Sequence, residues 1–218
     1  MYQVKKSVMA EKSVTEADLT AINALSRREL TAEEVYTFSV RACDDQPDRD
    51  YERFSAECIR QLAPMYVGKT VLFDHCWSAH NQTARVYATA VEKQGEATCL
   101  IAKVYMLRLP ETESLIAAID GGIIKEVSVG CSVSTATCSI CGELYMGCEH
   151  NRGREYDGQT CIVILSDPTD AYELSFVAVP AQPRAGVQKS ATEKMSIKDA
   201  DRAKARLLLE KLRYGGNT

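Results

Sequence analysis

Three thiols and an imidazole stand close together past the middle of this chain: Cys138, Cys141, Cys148 and His150, in the pattern C-x2-C-x6-C-x-H. The first pair has the spacing that lets one tight turn aim two sulfurs at a single ion, and Gly142 follows with the backbone freedom such a turn uses. Zn(II) takes four soft or borderline ligands in a tetrahedron, and a shell filled entirely by protein leaves no open position for catalysis. The pattern therefore predicts a structural zinc site. Cys161 is an alternative to His150 as fourth ligand, because the stretch NRGREYDGQT between them is flexible enough to close. The competing interpretation is a group of buried, reduced cysteines.

A second chemistry lies just upstream, in KEVSVGCSV (Lys125 to Val133). As a strand, this segment points Val127, Val129, Cys131 and Val133 one way and Glu126, Ser128, Gly130 and Ser132 the other. Ser128 thus leaves the apolar face, and Gly130 beside it clears room for a substrate backbone. A strand serine is most often structural. To act as a nucleophile it needs an adjacent base, most often histidine. With His150 assigned to the metal, His75 and His80 remain. His75 ends the apolar run VLF, which would hold it rigidly, whereas His80 sits in the polar loop SAHNQ. A base needs an orienting acceptor in turn. Glu173, inside the apolar strand AYELSFVAV, is a carboxylate that must have a partner or a task. Cys76 and Cys131 are rival nucleophiles on the same elements.

The elements that would position these groups follow from periodicity. Ser13 with Glu16 signals a helix start ahead of Leu19, Ile22 and Leu25, and Thr31 with Glu34 gives another cap signal. Tyr36, Phe38, Val40 and Ala42 alternate with polar residues as in a strand. Phe54, Cys58 and Leu62 share a helical face that Pro64 is expected to end. TVLFDH reads as a strand closing on Asp74 and His75. Ala84 to Val91 and Ala97 to Leu107 read as a hairpin turning at Gly95, and PETESLIAAIDGG as a short helix. Lys125 to Val133, Cys161 to Leu165 and Tyr172 to Val179 supply three more strands. The order is not a repeated βαβ alternation, so the predicted class is α+β, mainly β. The expected architecture is a small barrel or sandwich of about seven strands with flanking helices.

The predicted organisation is a helical extension over 1–34 and a main domain over 35–189. A zinc-binding insertion at about 134–161 interrupts that domain, and a linker and C-terminal helix fill 190–218. That helix, with Ala205, Leu208 and Leu212 on one face, would serve docking or a homo-oligomer. The long connection from Val133 to Cys161 is the kind that packing alone rarely orders, which gives the metal a physical use.

Bulk properties narrow the function. The chain has 218 residues, 45% hydrophobic and 26% charged, with a net charge of -4. That charge offers no general attraction to nucleic acid or to anionic lipid. No apolar run approaches a membrane span, and MYQVKKSVMAEKS has no apolar core of a secretory signal. Nine cysteines, odd in number and clustered, fit metal ligation or burial in a reducing compartment better than a disulfide framework.

Taken together, DH at 74–75, SVG at 128–130 and YELSFVAVPAQPRAGV at 172–187 resemble the tailed-phage prohead maturation proteases, thought to share a fold with the herpesvirus assemblins. The resemblance covers about residues 36 to 189. Its most specific part is E-x-S-x-V-x-x-P-A followed by A-x-V, and the cysteine cluster resembles an insertion carried by some members. It implies an assemblin-like β-barrel serine endopeptidase with Ser128 as nucleophile, His75 as general base and Glu173 as third member. Assemblins use a second histidine there, so His80 stays an alternative. Cys131 stands where the family pattern often has an aromatic. The implied substrates are scaffold, major capsid protein segments and the protease itself, inside a procapsid assembling in the host cytoplasm. Two rivals from other classes are a zinc-containing interaction module and an inactive structural head protein.

Overall fold

The computed structural model describes residues 14–188. The expected linker beyond Gln188, the C-terminal helix and the Ser13 cap lie outside them. Helix α1 (Glu16–Asn23) starts from Thr15 rather than Ser13. The Thr15 hydroxyl accepts the Asp18 N–H at 3.1 Å, and the Asp18 carboxylate closes the box. Its buried residue, Ile22, packs with Leu30, Val35, Tyr87 and Tyr105. The Thr31–Glu34 signal is realised as one 3-10 turn, with the Thr31 N–H donated to Glu34 at 2.9 Å.

Strand β1 (Val35–Asp44) and the short β2 (Glu52–Phe54) lead into α2 (Ala56–Tyr66). The Ser55 hydroxyl caps α2 by accepting the Cys58 N–H at 3.1 Å, while Cys58, Ile59, Leu62, Ala63 and Tyr66 bury one face. Phe54 belongs to β2, not to this helix, and Pro64 does not stop it. Its missing N–H falls in the last turn, so only one ladder bond is forfeited before the chain leaves at Val67. Strand β3 (Thr70–Phe73) follows, then the hairpin β4 (Ala84–Gln94) and β5 (Ala97–Leu107). Gly95 turns that hairpin at φ 64, where a side chain would be strained. Helix α3 (Glu113–Asp120) adds Ile116 and Ile119 to the core and stops at Gly121–Gly122.

Strand β6 (Val127–Cys138) runs five residues beyond the expected end at Val133. The two-residue strands β7 (Glu155–Tyr156) and β8 (Gln159–Thr160) form a separate hairpin. Cys161 to Leu165 and Tyr172 to Val179, expected as two strands, are one: β9 (Val163–Phe176), bonded along its length to β6. Pro168 misled the periodicity because it looks like a turn. It is tolerated because β2 pairs with Val163 to Leu165 and β3 with Glu173 to Phe176, leaving the Pro168 stretch without a partner on that side. The last strand among the described residues, β10 (Gly186–Val187), lies on β1.

Among the described residues the result is a mixed α+β fold, mainly strands, with three helices and an eight-stranded sheet in the order β10-β1-β5-β4-β3-β9-β2, with β6 on the other side of β9. The expected closed barrel is not formed among the described residues. β10 is two residues long, and only one isolated bridge, Glu126 to Gly186, crosses from it to the entrance of β6. The core lies between α2 and the sheet, with Val40, Leu62, Tyr66, Val71, Leu100, Leu174 and Phe176 at its centre. The PAQPRAGV block is tied to β1 through Gln182, which receives the Asp44 N–H at 2.6 Å and donates to the Asp44 carbonyl at 2.8 Å. Among the described residues no helix is long and apolar enough to cross a membrane.

Candidate functional site

The outer face of three neighbouring strands, β6, β9 and β3, carries the first group of polar residues. Ser128 on β6 lies directly opposite Ser175 on β9, and Gly130 lies opposite Glu173. On the other side of β9, Leu72 is level with Ser175 and Thr70 with Glu173. Opposed residues in a sheet share a face, with Cβ atoms roughly 5 Å apart. Ser128, Glu173 and Ser175 therefore turn away from the core, while Val127, Leu174 and Phe176 are buried in it.

His75 reaches this face from a turn and not from the strand expected for it. β3 ends at Phe73, and Asp74 and His75 both adopt left-handed backbone, at φ 52 and φ 53. Such conformations cost a non-glycine residue free energy and persist only where the surroundings fix them. Several bonds do so here. The Asp74 N–H donates to the Phe176 carbonyl at 2.9 Å, and the His75 N–H donates to Ser175 Oγ at 3.1 Å. The Asn81 amide donates to the Phe73 carbonyl at 2.9 Å and to the Cys76 carbonyl at 3.1 Å.

So held, the His75 ring sets Nδ1 2.7 Å from Glu173 Oε1. Glu173 is 2% exposed, whereas the His75 side chain is 42% exposed. A carboxylate can only accept, so Nδ1 carries the proton and Nε2 is left as the basic nitrogen. The other carboxylate oxygen, Oε2, accepts the Ser175 hydroxyl. Sequence reasoning passed over Ser175. Its signal was the strand alternation itself, which puts it on the face of Glu173 two residues away. No hydrogen bond joins Ser128 to His75 in this structure; the two share the face on which the His75–Glu173 pair is built.

Gly130 has a different task from the one expected. A Cβ there would stand 2.2 Å from Glu173 Oε1, so the glycine makes room for the carboxylate and not for a substrate backbone. The alternatives to the named residues fall elsewhere. His80 lies in a 3-10 turn and lines a separate cavity of about 650 Å³ with Thr83, Leu109 and Ser114. Cys131 packs on the core face, where burial raises its thiol pKa. Cys76 is exposed. Tyr172 is the extra residue of a bulge, since Glu173 pairs with Gly130 and Ala171 with Cys131. Its ring packs on Trp77 at 5.3 Å between centroids, and the two flank a cleft of about 460 Å³ that reaches Glu173.

The second group gathers at the far end of the same strand pair. Cys138 is the last residue of β6, paired with Val163 at the start of β9. The chain then turns tightly: the Gly142 N–H donates to the Cys138 carbonyl at 2.9 Å, with Gly142 at φ 78, and the Ile140 N–H points at Cys138 Sγ at 3.4 Å. A 3-10 turn over Tyr145–Gly147 delivers Cys148, and His150 packs edge-on against Tyr156 at 4.5 Å. One ligand atom from each of Cys138, Cys141, Cys148 and His150 lies within 4.8 Å of the others, and His150 Nδ1 is buried with no hydrogen-bond partner. Cys161 is also present, fully buried, with its Sγ 3.6 Å from Cys138 Sγ. The site thus gathers five donors.

Its electrostatics suit a cation. Burial alone would raise the Cys138 thiol, but backbone N–H groups at Cys141 and Ile140 outweigh it and hold the pKa down to about 6. Cys161 is pushed up to about 11 by burial and by its bond to Cys138. Four thiols and a buried imidazole nitrogen without a hydrogen-bond partner are a donor set that could hold a metal ion. No family model, curated protein or solved structure matches this chain.

Proposed function

We propose that this chain is a serine endopeptidase of the kind its motifs resemble, a prohead maturation protease. Ser128 is the nucleophile, His75 the general base and Glu173 the group that orients it. The observation that carries this reading is the 2.7 Å contact between His75 Nδ1 and the buried Glu173 carboxylate. It stands on the face where Ser128 is opposite Ser175. Pairs of this kind often tighten against the nucleophile only once substrate is bound, so the open Ser128–His75 approach suits a free enzyme.

The chemistry is acyl transfer. Ser128 Oγ bonds to the peptide carbonyl carbon while its proton passes to His75 Nε2. Glu173 accepts Nδ1–H throughout and stabilises the imidazolium. His75 then gives the proton to the departing amine as the C–N bond breaks. Water hydrolyses the ester by the same route, with His75 again taking and returning a proton. The cleft beside Trp77 and Tyr172 offers an apolar shelf for a substrate side chain. Scaffold and capsid-protein segments are the proposed substrates, within an assembling procapsid.

The metal proposed for Cys138, Cys141, Cys148 and His150 or Cys161 is zinc. Thiolate and imidazole donors suit it, and a shell filled by protein makes it structural. It takes no part in the proteolytic steps.

The test is labelling with a fluorophosphonate. Ser128 Oγ displaces fluoride from phosphorus, and the serine proton goes to His75. Wild-type protein is expected to be labelled at Ser128 and to cleave co-expressed scaffold. Ser128→Ala is expected to do neither while melting within about 0.5 kcal/mol of wild type. Cleavage at the wild-type rate in that variant refutes the assignment. A second reading, a metal-bearing interaction module without catalysis, is favoured by Met146 and Leu144, which stand 96% and 61% exposed on the metal loop. It predicts no labelling in either form.

A further inference from the structure

Ser175 is wholly buried, yet its hydroxyl bonds to the Glu173 carboxylate and to the backbone N–H of His75. A serine inside a strand has ordinary ways to satisfy itself, in backbone carbonyls and water. This one makes neither of its observed bonds to its own strand's backbone. It has a single O–H to give, and gives it to Glu173 Oε2. It accepts the backbone N–H of His75 at 3.1 Å.

The count of bonds is informative. Glu173 has two oxygens in a site 2% exposed, one bonded to Ser175 and the other to His75 Nδ1. With Oε2 occupied, the carboxyl plane cannot rotate without leaving a buried oxygen unpaired. Oε1 is thereby aimed at the imidazole. The second bond acts on His75 from below. Its backbone is left-handed at φ 53, and its N–H is anchored on the same hydroxyl. One oxygen atom thus sets both the backbone that carries the imidazole and the carboxylate that fixes its tautomer. Its Cα also lies directly opposite that of Ser128 across the β6–β9 pair.

We propose that Ser175 is the positioning residue of the His75–Glu173 pair; this rests on the assignment of His75 and Ser128 given above. Being fully buried, it does not meet substrate. Its removal therefore acts on the rate of the chemical step and leaves substrate binding alone.

The experiment compares wild type with Ser175→Ala, Ser175→Cys and Ser175→Thr. The rate of Ser128 labelling by a fluorophosphonate is measured beside the 15N spectrum of the His75 ring and the thermal melting point. Ser175→Ala is expected to slow labelling on the order of 10²-fold, the effect of a misplacement of about 1 Å. Its His75 is expected to change from a single Nδ1–H tautomer to a mixture. Ser175→Thr, which keeps the hydroxyl, is expected to restore the single tautomer and most of the rate. Ser175→Cys preserves volume with a weak donor, and supplies the same comparison should the alanine variant not fold. A structural role alone would lower the melting point without moving the tautomer. Labelling at the wild-type rate with an unchanged tautomer in the folded Ala or Cys variant overturns the proposal. Should wild type itself not be labelled, the enzyme assignment fails, and the tautomer comparison still decides Ser175: a mixture supports the positioning role and an unchanged ring refutes it.

Discussion

Gly130→Ala should separate the chemistry from the fold with the least possible change, one methyl group. An added Cβ would stand 2.2 Å from Glu173 Oε1 and 3.1 Å from its carboxyl carbon, where contacts under 3.0 Å are essentially never seen. The carboxyl must therefore retreat by at least about 0.8 Å. The backbone cannot absorb the shift easily. Gly130 is paired with Glu173 in the ladder, and its carbonyl accepts the Tyr66 hydroxyl at 3.0 Å. Retreat pulls Oε1 away from its 2.7 Å contact with His75. A displacement near 1 Å at a reacting group can lower the rate on the order of 10²-fold, which is about 2.7 kcal/mol of barrier. The same shift strains a buried carboxylate, with a stability loss of about 1–3 kcal/mol. The assay is Ser128 labelling against time, beside urea denaturation, in Gly130→Ala, Glu173→Ala and the double variant. If the clash is the cause, Gly130→Ala destabilises wild type but hardly affects the Glu173→Ala background. A full stability loss in both backgrounds, or wild-type labelling in folded Gly130→Ala, would refute the reasoning.

Metal analysis of purified protein should give about one zinc per chain, and Cys138→Ser should lose it and melt lower. Chelation should lower the melting point while labelling persists below the new transition; fast loss of labelling with unchanged melting would point to a catalytic ion instead. The pH dependence of stability has a named contributor in Asp18. Partial burial raises its pKa, but bonds from Thr15, Lys103 and Tyr87 prevail and hold the carboxyl down to about 2, from 3.8. A depressed carboxyl stabilises the fold above its unfolded pKa, and that support is lost as pH falls from about 3.8 toward 2. Asp18→Asn should be less stable than wild type at pH 7, with the gap closing across that window. A constant gap in denaturation experiments at pH 7, 4 and 2 would remove Asp18 from the account.

Most local structure was legible because its causes are local. The Gly95 hairpin, the Ser128 face of β6 and the apolar stripe of α2 each follow from a short-range period. The errors share a cause in partners distant along the chain. β9 looked like two strands because Pro168 breaks the pattern, and only the spacing of β2 and β3 along its flank shows why the strand survives. β6 looked short because its last residues, Ser134 to Cys138, lack a clean alternation; their pairing with Val163 to Ser166 extends it. At the site, the carboxylate and histidine could be named from sequence because each was chemically out of place. Ser175 shares the face of Glu173 by alternation alone, but a buried serine draws no notice until its neighbours are known. Gly130 drew attention for its lack of a side chain, but which group fills the space is a cross-strand fact.

The two clusters are linked by the strands that carry them. Ser128 and Cys138 are on β6, Glu173 and Ser175 on β9, and Cys161 lies two residues before β9. The chemistry requires Ser128 to stay opposite Ser175, and a slip of one residue would turn it to the other face. That register is broken twice on the way to the metal end, between Gly130 and Cys131 and between Ser132 and Val133. Pairing at one end of the ribbon therefore does not dictate pairing at the other. Closing the long segment between Cys138 and Val163 opposes the outer pairing by about 3 kcal/mol of chain entropy. A metal drawing Cys138, Cys141, Cys148 and either His150 or Cys161 together offsets that entropy where the ladder cannot. The ion would then hold two strands in step from their far end, the structural use that a closed metal site would have in the proposed protease.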